Sequence, residues 1–100
     1  MEPRPNLRKE KRIPVRLAMR MKGTTDKGIP LDVDIMAENV SRLGFCFRAL
    51  ADIPVHPGDR ITVRLKCPQI QTEIELEIKW RKGELMGGLL LAPPERWLVR

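Results

Sequence analysis

One hundred residues make one ordinary domain, and 42% hydrophobic with 32% charged residues suits a folded chain rather than a disordered one. No apolar run approaches the ~20 residues that span a bilayer, no secretion signal is expected, and two cysteines without CxxC spacing plus one histidine cannot assemble a disulfide scaffold or a Cys/His zinc site. The expectation is a cytoplasmic protein with no metal and no cofactor, whose net charge of +6 lies entirely in residues 1–22, where eight basic side chains face two acids; residues 23–100 carry eleven of each.

Residues 1–12, with Pro3 and Pro5 and little apolar content, are expected to form a flexible basic arm, and residues 13–100 the domain proper. From Ile13 the sequence alternates: Ile13, Val15, Leu17, Met19 and Met21 share one face and Arg16, Arg20 and Lys22 the other, as in a half-buried strand. After a turn over Gly23–Gly28, Leu31, Val33 and Ile35 alternate with Asp32 and Asp34 in a second strand. Glu38–Gly44, rich in Asn, Ser and Gly, reads as a turn, and Gly44–Phe47 leads into a third strand.

Pro54, Pro57, Gly58 and Asp59 mark the next turn, before a strand Arg60–Lys66 with Ile61, Val63 and Leu65 inward. A hairpin around Cys67–Thr72 is predicted to pair Lys66 with Glu73 and Arg64 with Glu75, with Leu65 facing Ile74 and Val63 facing Leu76. The fifth strand, Glu73–Trp80, is predicted to turn Ile74, Leu76, Ile78 and Trp80 inward. A last strand, Leu85–Leu91, precedes Pro93-Pro94-Glu95, which can start a short helical turn carrying Trp97 and Leu98. Six short strands without a long helix imply an all-β barrel or sandwich.

Catalysis finds little support. His56 sits in a turn with no nucleophile and orienting carboxylate that the sequence can pair with it, so it reads as a solvated residue. Asp32 and Asp34 form a DxD, yet fall where an alternating strand puts carboxylates on its outer face. Neither GxxxxGK[ST] nor GxGxxG is present.

Two motifs remain. Arg8-Lys9-Glu10-Lys11-Arg12 is an RxxxR that repeats as Arg12 to Arg16, and Asn39-Val40-Ser41-Arg42-Leu43-Gly44 is an NxSxxG between two strands. A guanidinium fork bonds two phosphate oxygens or the O6/N7 edge of guanine, and it stacks on bases. Asn and Ser add short polar groups, and Gly permits close approach.

With both motifs in this order, the Pro57-Gly58-Asp59 turn, the strand ending Ile78-Lys79-Trp80 and the glycine-led Gly88–Leu91 strand, the sequence resembles the PilZ domain family. The resemblance implies a six-stranded antiparallel β-barrel that acts as a receptor for cyclic di-GMP. In the family the second arginine immediately precedes the first strand, which assigns ligand contacts to Arg8 and Arg12 and leaves Arg16, inside the strand, as a secondary candidate. Lys9 stands where many members carry a further arginine; it keeps the charge and loses the fork. Asn39, Ser41 and Gly44 match the second motif, with Asn in place of the commoner Asp, and Arg42 is a further secondary candidate. The implied action is closure of the arginine arm over the dinucleotide, read by a downstream effector protein. Two rivals are a degenerate barrel that works by protein contacts alone and a small nucleic-acid-binding barrel; four aromatic residues, three of them expected in part inside, disfavour the latter.

Overall fold

A computed structural model describes residues 12–68, 70–92 and 97. Six strands, β1 (Ile13–Thr25), β2 (Pro30–Ser41), β3 (Gly44–Ala49), β4 (Arg60–Cys67), β5 (Ile70–Lys82) and β6 (Leu85–Leu90), close into an antiparallel barrel in the order β1-β2-β3-β6-β5-β4. Closure pairs both edges of every strand, which removes the exposed edges of an open sheet. The expected all-β barrel is therefore observed. Of the N-terminal arm only Arg12 is described, and of the tail beyond Ala92 only Trp97, so Arg8, Lys9 and the predicted helical turn at 93–95 lie outside the described residues.

The interior is filled by the inward positions of the alternating strands, among them Met21, Ile35, Phe47, Leu65, Ile74, Leu76, Ile78 and Met86. Burying each such side chain stabilises the fold by about 1.5–3 kcal/mol. The segment between β3 and β4 crosses the barrel and adds Ile53 and Val55 to this core. Arg81 clasps that crossing: its guanidinium donates to the carbonyls of Ile53 (2.7 Å), Val55 (2.8 Å) and Gly83 (2.8 Å) and to Asp52 (3.1 Å). No local pattern in the sequence announces this long-range clasp.

Four expectations are corrected. The turn expected over Gly23–Gly28 is shorter, because Gly23, Thr24 and Thr25 stay paired in β1. The β4–β5 hairpin is tighter than predicted: Cys67 pairs with Ile70, so Arg64 faces Glu73, Leu65 faces Thr72, Val63 faces Ile74 and Lys66 faces Gln71. Alternation has period two, so a shift of two residues preserves both the buried face and the charge pairing, and the loop length decides between the registers. The turn expected over Glu38–Gly44 shrinks to Arg42-Leu43, because Asn39, Val40 and Ser41 stay paired with Cys46, Phe45 and Gly44. Val40, 1% exposed, holds that end of β2 in the core. Trp80, expected inside, lies outside and is 39% exposed.

The last correction has a backbone cause. The β5–β6 register slips between Ile78 and Trp80, so that Ile78 faces Gly88 and Trp80 faces the next residue, Gly87. Such a bulge inserts one unpaired residue, here Lys79, and exchanges the two faces of the strand beyond it. Trp80 therefore turns out, and Arg81 turns in beneath the crossing segment that it clasps.

The Pro57-Gly58-Asp59 turn forms as expected. Asp59 N–H donates to the His56 carbonyl (2.9 Å), Gly58 takes φ 96°, and the buried Asp59 carboxylate accepts from His56 N–H (2.9 Å). Pro and then a positive-φ Gly are the central residues of a type II turn. The His56 backbone hydrogen bond and Lys27, 3.2 Å away, hold the Asp59 carboxyl below its usual range. A depressed folded pKa adds stability that is present above the unfolded value near ~3.9 and is lost as pH falls through the folded value. Asp59→Asn is expected to cost about 1–2 kcal/mol at pH 7, and in urea melts the gap to the parent protein should close as pH falls below about 4.

Candidate functional site

The bulge on β5 has a counterpart on β2, where the register slips between Ala37 and Asn39 around Glu38. Ala37 is fully buried; strict alternation would send Asn39 inward as well, and the extra residue sends it outward and Val40 inward instead. Beyond the two bulges, four register partners form one row across the outside of the barrel: Asn39 on β2, Cys46 on β3, Gly87 on β6 and Trp80 on β5. Pro14 extends the row on β1. The middle of the row is low because Cys46 is small and Gly87 has no side chain. A Cβ on Gly87 would overlap the Trp80 indole, so the ring lies directly over that glycine.

The row floors an open groove of about 280 Å³, lined by Arg12, Asn39, Ser41, Leu43, Gly44, Phe45, Cys46, Lys79, Trp80, Gly87, Gly88 and Leu89. Among the described residues two cations and no carboxylate line it, which gives the groove a positive field. Arg12 stands immediately before β1 and is exposed. Lys79, the inserted residue of the β5 bulge, is also exposed. Burial and the nearby Glu38 push the Cys46 thiol up from its usual range, so it serves as a neutral floor.

Ser41 and Gly44 face each other across the Arg42-Leu43 turn. The Ser41 hydroxyl is buried and donates weakly to the Gly44 carbonyl at 3.4 Å, a length that leaves it easily redirected to a better acceptor. Gly44 has no positive φ; a Cβ there would overlap the Gly88 carbonyl of β6, so the glycine serves strand approach rather than turn geometry.

Four of the five motif residues, Arg12, Asn39, Ser41 and Gly44, thus meet in one groove, and Arg8 lies outside the described residues. Arg16 on β1 and Arg42 in the turn are exposed and do not line it. The sequence reading missed Trp80, Lys79, Cys46 and Gly87, since only the bulges bring them together. The DxD carboxylates are engaged elsewhere: Arg20 donates to Asp32 at 2.7 Å and to Asp34 at 2.9 Å.

The sequence profile of the PilZ domain matches residues 6–92. The chain belongs to the PilZ domain family. Its match runs from the RxxxR arm to the end of β6, so both motifs of the PilZ resemblance fall inside it. No curated protein matches the sequence. Among the described residues of this PilZ domain, no helix is long and apolar enough to cross a membrane.

Proposed function

We propose that this PilZ domain is a receptor or adaptor that binds cyclic di-GMP in the β2-β3-β6-β5 groove and carries out no chemistry on it. The observation that carries the reading is the convergence of Arg12, Asn39 and Ser41 with an exposed Trp80 in a positive groove that no carboxylate lines among the described residues. Arg12 suits a phosphate or a guanine edge, Asn39 and the Ser41 hydroxyl supply short polar contacts, and Trp80 offers a face on which a base stacks. At about 280 Å³ the groove sits at the small end for an organic ligand. Arg8 and Lys9, on the same arm as Arg12, are the groups proposed to cover its open side. That closure would be the change that a downstream effector protein reads.

A groove with one exposed indole holds a base or two rather than a strand, which favours a dinucleotide over single-stranded nucleic acid. Titration calorimetry is expected to show saturable binding of cyclic di-GMP, weakened about tenfold by Ser41→Ala through loss of one hydrogen bond to a charged group. No heat from the unmutated protein overturns the reading and leaves the degenerate barrel, which acts through protein contacts alone, in its place.

A further inference from the structure

Ser41 is held from two sides. Ser41 lines the groove together with Leu43 of the turn, while its backbone carbonyl accepts a hydrogen bond from the Trp97 indole at 2.7 Å. Trp97 does not line the groove; it packs partly buried against the core and meets Phe45 edge to face, with ring centroids 5.6 Å apart. Phe45 follows Gly44 on β3 and stacks in turn on Phe47 at 5.0 Å. One side chain from the segment after β6 therefore fixes the first peptide of the turn and the strand that leaves it.

We infer that Trp97 is a positioning residue of the groove and couples the segment after β6 to ligand occupancy; this rests on the cyclic di-GMP reading of that groove. The Ser41 carbonyl belongs to the peptide that joins Ser41 to Arg42, so rotation of this peptide breaks the Trp97 bond. Trp97 accordingly holds the turn in one orientation before ligand arrives, and ligand that binds the held turn avoids the cost of ordering it. Coupling is reciprocal: a segment that raises ligand affinity when docked is itself docked more firmly by ligand, by the same factor. Trp97 thereby becomes an output of the site.

The test uses the full chain labelled with 5-fluorotryptophan, whose two fluorine resonances, Trp80 and Trp97, are assigned with Trp80→Phe, a change at an exposed position. Cyclic di-GMP is expected to move the Trp97 resonance with the midpoint found by calorimetry, although Trp97 lies outside the groove. Trp97→Phe, which keeps an aromatic ring on Phe45 and removes the N–H, is expected to weaken binding about three- to tenfold with a melting temperature within a few degrees of the parent's. Calorimetric binding with an unmoved Trp97 resonance at saturation overturns the coupling alone, and this readout stands even where Trp97→Phe folds poorly. Absence of calorimetric binding overturns the cyclic di-GMP reading and the coupling with it.

Discussion

Replacing Arg12 by alanine is expected to weaken cyclic di-GMP binding about a hundredfold while leaving the barrel intact. Hydrogen bonds to charged groups contribute about 1.5–3 kcal/mol each, and about 1.4 kcal/mol is tenfold in affinity, so one fork-like pair from a guanidinium accounts for the expected loss. The fold should not register the change, because Arg12 is exposed and precedes the first residue of β1. Arg12→Lys separates charge from shape: it retains the positive field but not the planar fork, and about tenfold of the loss should remain. Calorimetry on the two variants, with thermal melts alongside, checks both parts. Equal affinities for Arg12→Ala and the parent would remove the arginine from the site.

Gly44→Ala is expected to act on the whole fold. A Cβ at this position overlaps the Gly88 carbonyl, a backbone atom of the neighbouring strand that has no rotamer to give way. Forcing atoms into a packed region costs about 1–3 kcal/mol, and for a domain of this size each kcal/mol lowers the melting temperature by roughly 4–8 °C. A fall of roughly 10–20 °C is expected, with ligand binding lost as the β3–β6 seam opens under the groove. Gly23 occupies the equivalent position on the opposite seam, where a Cβ would overlap the Thr62 carbonyl of β4, and Gly23→Ala should fall by a similar amount without touching the groove. A Gly44→Ala protein that melts with the parent would show that the seam can widen freely. Ser41→Ala provides the contrast, since its expected effect is on binding with little change in melting.

The barrel was legible because its strands alternate. Met19, Met21, Leu31, Val33, Ile35, Ile61, Val63, Leu65, Ile74, Leu76 and Ile78 were all assigned to the inner face from period-two spacing, and all are buried. Register was not legible, since Arg64 finds a glutamate whether it faces Glu73 or Glu75, and only the two residues left between Cys67 and Ile70 decide. At the site, the motifs located Arg12, Asn39, Ser41 and Gly44, but composition mistook a paired strand end for an open turn. Trp80 was misplaced for a different reason: a bulge has no residue type of its own, and strict alternation runs through Lys79 as though nothing were inserted. Arg81 and Trp97 were beyond local reading altogether, because each acts on backbone carbonyls that are 26 or more residues away in sequence.

The inserted residues Glu38 and Lys79 behave as frame shifts in a two-letter script. Ahead of each, the strand spells interior at every second position; after each, the same spelling lands on the exterior. The outer row of this barrel is thus written in the number of residues at two places, not only in their kind. Deleting Lys79 alone would close the bulge and still leave Trp80 opposite Gly87 on the outside, since it would then directly follow the inward Ile78; the insertion's own contribution is the lysine that it places at the groove while the interior stays unchanged.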